Sequence, residues 1–174
     1  MKLFAALLIV TSFTLRAQDV KVEYDKSKDY SHYKTFKFGQ SEIVTPKEKK
    51  QISDKELNKL IQDAISNEMK EKGLTYSDSS AELIITYVAG IFEHSEIQNL
   101  GPLGTSPNSS SQTWTSNYSQ GELIVDLNDA KTSKLIWRIN SQTNTTTPEA
   151  RQYIEQIIDK GLKKFGVKPK QKKK

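Results

Sequence analysis

Asp126 and Asp129, close together in the stretch Gly121–Asn140, are the first residues of this chain whose spacing could do chemistry. A pair of carboxylates can hold calcium through oxygen or divide the roles of general acid and general base. The run Asp126-Leu127-Asn128-Asp129 lacks the glycine and the further oxygen ligands of a calcium loop. Asn128 and Asp129 are residues that a turn between strands favours without any ligand. Asp126 alternates with Leu127 and remains the weak catalytic candidate, with Glu93 or Glu96 as the second acid of a cell-wall or sugar hydrolase. His32 and His94 would need Glu93 or Glu96 beside them to hold zinc. Two histidines in a chain without cysteine are a poor set, so no metal and no cofactor is expected. Gly104-Thr105-Ser106-Pro107-Asn108 has asparagine where a nucleophile elbow needs glycine, and no phosphate-cradling glycine loop precedes a helical stretch. The binding candidates are Trp114 and Tyr118, two aromatics embedded in the Ser/Asn/Thr-rich stretch Glu93–Gln120. A loop of that length is functional or disordered.

The elements that must position these residues are read from hydrophobic periodicity. In Gly121–Asn140, Leu123, Val125 and Leu127 share one side, and Leu135, Trp137 and Ile139 share one side across the polar turn 128–134. That is the pattern of two antiparallel strands with one apolar face. Val20, Val22 and Tyr24 give an earlier strand, and Thr35–Phe38 a second, ended by Gly39. The aromatics Tyr30, Tyr33, Phe36 and Phe38 read as a core corner rather than a stacking platform for a sugar or base. Ser53-Asp54-Lys55-Glu56 fits a capping box. From there Leu57, Leu60, Ile61, Ala64, Ile65 and Met69 recur at helical spacing up to Gly73 as the stop. Ala81–Phe92 is apolar on both faces and β-branched, a central strand in which Gly90 marks a bulge. Weak alternation returns over Gln112–Gly121, which makes Tyr87–Glu93 and Thr113–Asp126 the arms of a long hairpin with a mobile tip. Thr146 or Thr147 caps a last helix with Pro148 in its first turn. Ala150, Ile154, Ile157, Ile158, Leu162 and Phe165 form its stripe, and Gly166 stops it. Gly161, inside that helix, permits close packing against the sheet.

Composition bounds the class. A chain of 174 residues that is 35% hydrophobic fits one domain with a real core. Met1–Ala17 has a short basic start, an apolar run too short to span a bilayer, and a small residue at its end, the pattern of a cleaved export signal with Gln18 as the mature start. The formal charge of +5 is misleading. Lys2 and Arg16 leave with the signal, and Lys168, Lys170, Lys172, Lys173 and Lys174 sit in the tail, so the body is slightly acidic and is not expected to bind nucleic acid. The tail 168–174 reads as a disordered basic end able to touch an anionic membrane surface. Without cysteine there are no disulfides, thiolate metal sites or cysteine nucleophiles. Sequons at Asn108, Asn117 and Asn144 matter only in a host that glycosylates asparagine.

The order of these pieces resembles one family. DYSHYKTFKF at 29–38, the helix closed by Glu71-Lys72-Gly73-Leu74, AELIITY at 81–87 and GELIVDLNDAKTSKLIWR at 121–138 look like the bacterial domain of unknown function 4136. That family is found in exported envelope proteins, many of them lipoproteins. The resemblance runs from about Val20 to Phe165. Its more specific parts are the block Tyr33 to Phe36 and the set Gly121, Asp126, Asp129 and Trp137, to which it assigns structural roles. The lipobox cysteine of many relatives is missing here, so lipid anchoring is not implied. Phe165-Gly166-Val167 replaces the Phe-Pro-Pro of relatives. The family has no established activity, so the resemblance implies fold and compartment.

Together these readings predict a signal peptide at 1–17, a single α+β domain at 18–167 and the tail 168–174. The domain has a mainly antiparallel sheet of about five strands with two helices on one face, in the order ββαβββα. The expected function is a non-catalytic exported module, in the periplasm or cell envelope, that binds an envelope protein or ligand through 93–120. The alternatives are the hydrolase using Asp126, or carriage of a lipid or hydrophobic ligand between sheet and helices.

Overall fold

The computed structural model describes residues 19–102, 111–143 and 150–167. Within them the chain is α+β, with a mixed sheet of seven strands and two helices. The strands are β1 (Asp19–Tyr24), β2 (Thr35–Phe38), β3 (Glu42–Val44), β4 (Thr75–Tyr76), β5 (Leu83–Pro102), β6 (Ser111–Asp129) and β7 (Leu135–Thr143). The helices are α1 (Asp54–Glu71) and α2 (Ala150–Leu162), and a short 3₁₀ turn, Lys47–Lys49, precedes α1. Strand order is β1-β7-β6-β5-β2-β4, with β3 beside β5 further along the same edge as β2.

The sheet is antiparallel from β1 to β5 and parallel beyond it, where β2 and β3 pair with β5 and β4 pairs with β2. This corrects the expected five-stranded, mainly antiparallel sheet. The physical reason is the crossover: α1 returns the chain to the end of the sheet it left, and strands joined through a helix run parallel. β3 and β4, three and two residues long, are too short to show a period.

Alternation decides which face is buried. Leu83, Ile85, Tyr87 and Ala89 of β5, Leu123, Val125 and Leu127 of β6, and Trp137 and Ile139 of β7 are all buried. Cross-strand register sets them opposite one another, as in Tyr87 with Val125 and Val125 with Ile139. The expectation that Ala81–Phe92 is apolar on both faces is therefore met in sequence but not in burial, because Ile84, Thr86 and Val88 are only half-buried. Trp137 is fully buried, its ring stacked 3.9 Å from Tyr24 and edge-on to Tyr30 and Phe165. Its indole N–H donates to the Gly161 carbonyl of α2 at 3.0 Å. Tyr30, Tyr33 and Phe36 are buried in the same core, so the aromatic run is a core corner.

α1 starts on Ser53, whose hydroxyl accepts from the Glu56 N–H at 3.2 Å. It ends where Leu74 N–H reaches the Met69 carbonyl around Gly73, whose φ of 81° suits glycine. α2 lies over β1 and β7, α1 over β3 and β4, and the two helices pack on each other. The proposed cap of α2 at Thr146 or Thr147 and Pro148 lies outside the described residues. Gly90 is not a bulge, since β5 and β6 keep register through it. With φ at 152°, it lets the β3 backbone at Val44 come so close that a Cβ would collide with the Val44 carbonyl.

Candidate functional site

The carboxylates of the sequence reading are each held by a structural partner. Asp126 sits on the face of β6 away from the helices, opposite Arg138 of β7. Arg138 Nε donates to one Asp126 oxygen at 2.7 Å and Nη2 to the other at 2.6 Å, a two-pronged pair that raises the guanidinium pKa. Asp129, in the turn, accepts from the Thr132 N–H and hydroxyl at 2.7 Å each and from the Tyr33 hydroxyl at 2.8 Å. The Thr132 and Tyr33 hydrogen bonds lower its pKa to about 2. Burial, reinforced by the bond to Asp129, pushes the Tyr33 hydroxyl well above its ordinary value. This contact ties the Tyr33–Phe36 block to the Asp126–Trp137 block. Gly121 lies where β7 ends, opposite Thr143.

The hydrolase pairing is not assembled. Glu93 follows the alternation onto the helix side of β5, the opposite face from Asp126, and its carboxylate is bound by Lys49 at 2.6 Å. Lys49 lowers the Glu93 pKa. Glu96 shares a face with Asp126, but it faces Ser116, ten residues along β6, roughly 33 Å away. His94 hydrogen-bonds Glu122 at 2.8 Å, and His32 bonds the Asp29 carbonyl at 2.9 Å. Among the described residues no three His, Asp or Glu side chains come together as a metal site.

Most of the stretch 93–120 is hairpin rather than loop, as the weak alternation after Gln112 indicates, and the pairing of β5 with β6 runs further out than the arms expected. β5 runs on to Pro102 and β6 starts at Ser111, so most of it is a two-stranded ribbon. Tyr118 is 43% exposed, with its ring stacked on His94 at 5.4 Å. Trp114 lies on β6 opposite Gln98; its side chain is outside the described residues. So are Met1–Ala17, residues 103–110 and the tail 168–174.

What sequence reasoning did not single out is a cleft where the sheet outruns the helices. A cavity of about 390 Å³ lies between the first turns of α1 and α2 and the sheet. Ala89, Ile91, Gly121 and Leu123 form its floor, and Leu57, Ile61, Tyr153 and Ile154 its walls. Its size falls within the ~300–1,000 Å³ of small-molecule sites. The inner polar contact is Tyr153, whose hydroxyl lies 3.4 Å from the buried Ser141 hydroxyl. At the rim Lys49 is held by Glu93 and by the Ser119 hydroxyl, and Lys50 by Asp54 at 2.6 Å. Both rim cations thus already have a carboxylate. The available signal was Ser141, which continues the buried Trp137/Ile139 stripe and marks where the core turns polar. The Asp126–Arg138 pair was also legible, since a hairpin that sets Leu127 opposite Trp137 sets Asp126 opposite Arg138.

The family model described as Domain of unknown function (DUF4136) matches residues 20–165. No curated protein matches the chain in sequence. Among solved structures, the fold is similar to a PDZ domain protein from Parabacteroides distasonis ATCC 8503, with a TM-score of 0.52 and 16% identity. That match covers 88% of this chain and 36% of the other, and at that identity it shows fold alone. The PelC dodecamer from Paraburkholderia phytofirmans matches with a TM-score of 0.49 and 6% identity, over 87% of this chain and 99% of that one. Among the described residues no helix is long and apolar enough to cross a membrane.

Proposed function

The chain belongs to the DUF4136 family of domains of unknown function, and on that footing we propose that it is a non-catalytic exported binding module of the cell envelope. Its cleft takes a small, uncharged, apolar ligand of the short acyl-chain class. The observation that carries this reading is the cavity of about 390 Å³ whose floor and walls are mostly aliphatic, with the ring of Tyr153 among them and the charged residues at its rim. Burial of each methylene there is worth about 0.8 kcal/mol. Tyr153 supplies a hydroxyl at the inner end, and because Lys49 and Lys50 are already paired, a charged headgroup gains little at the rim. The apolar start Met1–Ala17 supports export, and the lysines at 168–174 would hold the module near an anionic surface.

Native mass spectrometry and titration with 1-decanol and decanoate test the reading. Decanol is expected to bind one to one and more tightly than decanoate, and Ile91→Trp, which fills the cleft, should abolish binding. A protein recovered bare that shows no saturable decanol binding refutes the cleft as a ligand site. A second reading places an envelope protein partner on the 93–120 ribbon, and the exposed Tyr118 favours it.

A further inference from the structure

The outer edge of each arm of the β5–β6 ribbon lacks a described strand partner beyond β3 and β7, and the pattern of the β5 edge says what fits it. Along β5 the backbone polar groups point alternately to either side. The Ile85 carbonyl accepts from Gly39 N–H at 2.8 Å and the Tyr87 N–H donates to the Ser41 hydroxyl at 3.2 Å, both on the outer side. The Glu82 carbonyl accepts from Ala130 N–H at 2.9 Å, on the β6 side. Odd-numbered residues therefore face outward, and further along these are Ile91, Glu93, Ser95, Ile97 and Asn99. β3 occupies the outer edge only as far as Gly90. The regular pairing with β6 continues to Asn99 before the register shifts. Between those limits, no described strand pairs with the outer edge.

Exposed edges are ordinarily blunted by lysine, proline, bulges or brevity. The edges of β1, β3 and β4 follow that rule: β1 carries Lys21, β4 has two residues, and β3 has three and is followed by Pro46. The outer edge of β6 at 111–120 does not, but unlike the β5 edge it carries no charged residue that a second copy could pair. From Ile91 to Asn99 there is no Lys, Arg or Pro, and of its two carboxylates Glu93 is already bound by Lys49. A two-stranded ribbon alone is marginally stable in water, and a third strand is what completes it.

We propose that a second copy of this chain supplies that strand, the two β5 edges pairing antiparallel about a two-fold axis at Ser95. Three features of the edge agree on this register. Ser95 is the midpoint of the free stretch 91–99, so two copies fill each other's slot from the end of β3 to the register shift. Its backbone faces outward, so Ser95 and its copy exchange both hydrogen bonds, as an isologous antiparallel pair requires. His94 then stands opposite Glu96 of the other copy, twice, on the face that also carries Tyr118. The neighbouring register, centred on Glu93, would set two Glu93 side chains against each other. Assembly uses the edge and leaves the cleft open, so it does not depend on the ligand reading.

Sedimentation velocity of the full chain tests the pairing. The wild type is expected to sediment as a dimer. Ser95→Pro removes an outward N–H without touching the β6 ladder, and it should give monomer. Asn117→Pro, the same change on the outward side of β6, should leave the dimer intact. Ser95→Cys is the sole cysteine in its chain and should join into a covalent dimer with a short bismaleimide, whereas Glu155→Cys on α2 should not. The cross-linking arm stands even if Ser95→Pro unfolds the ribbon. A wild type that stays monomeric, a dimer that survives Ser95→Pro in a folded protein, or equal cross-linking at both cysteines overturns the proposal.

Discussion

Gly161→Ala sets helix propensity against packing, and the structure says which wins. In an exposed helix interior, alanine gains about 1 kcal/mol over glycine. At Gly161 an added Cβ would stand 2.5 Å from Ile139 Cδ1, 2.7 Å from Cγ2 and 2.8 Å from Cγ1. Carbon atoms settle at about 3.5–4.0 Å, so helix and strand must part by roughly 1 Å. Ile139 cannot yield, because it is fully buried in the middle of β7. Lifting α2 loosens the seating of Ile154, Ile157, Ile158 and Leu162 and stretches the 3.0 Å bond from Trp137 to the Gly161 carbonyl. Overpacking of this kind costs ~1–3 kcal/mol and the weakened hydrogen bond ~1 more. After the propensity gain the net is a loss of about 2 kcal/mol, or roughly 6 °C in Tm for a domain of this size.

Equilibrium urea unfolding followed by tryptophan fluorescence measures it. Ile139→Val provides the second arm: alone it costs about 0.5–1.5 kcal/mol, but it deletes the Cδ1 atom nearest the new methyl. The double variant should therefore recover about 1 kcal/mol relative to the sum of the singles. A Gly161→Ala protein as stable as the wild type, or a strictly additive pair, would refute the claim that this glycine exists for close approach.

Gly90→Ala drives a methyl into the Val44 carbonyl at a φ that alanine rarely adopts, and should cost about 3 kcal/mol, with hydrogen exchange at Val44 accelerating first. Tyr33→Phe should cost about 1 kcal/mol and change the pH profile. Asp129, held at about 2 in the fold, contributes stability that is present above the ordinary carboxylate range and lost as pH falls toward 2. Tyr33, raised by burial and by Asp129, contributes stability present below its ordinary value and lost as pH climbs past it, and the phenylalanine variant should lose that alkaline fall. Arg138→Ala leaves Asp126 half-buried and unpaired, and a loss of about 1 kcal/mol by urea unfolding is expected, modest because Arg138 is partly solvated.

How much of this was legible follows from the range over which each signal acts. The β6–β7 hairpin, the caps Ser53 and Gly73 and both helical stripes are local, and periodicity alone finds them. β3, β4 and the parallel half of the sheet depend on partners far away in sequence, which no window contains. The ribbon was legible only in part for a different reason: between Thr113 and Gln120 the alternation rests on Trp114 and Tyr118 alone, so its signal is weak. Gly90 reads as a bulge because a lone glycine in a strand pattern has two causes, and only the position of Val44 separates them. The cleft was hidden because Leu57, Ile61, Leu123 and Ile154 each look like core; what makes them a wall is the end of the layer above.

That end of the layer is one physical fact with two consequences. α1 has 18 residues and is about 27 Å long. β5 has 20 residues and extends for roughly 66 Å. A helix rises less than half as far per residue as a strand, so helices that seal the Trp137 end of this sheet cannot also cover the other. Just past the helix ends the sheet is roofed on one side only by Lys49 and its neighbours, which gives the cleft. Further out no described helix covers it and no described strand flanks it, which leaves the edge of β5 bare. The two features should therefore separate: replacing Ser95–Asn117 with a tight turn should abolish self-association and leave decanol binding at Ile91 and Leu123 unchanged. Loss of both together would mean that the ribbon is part of the cleft wall, and the account from element lengths would fail.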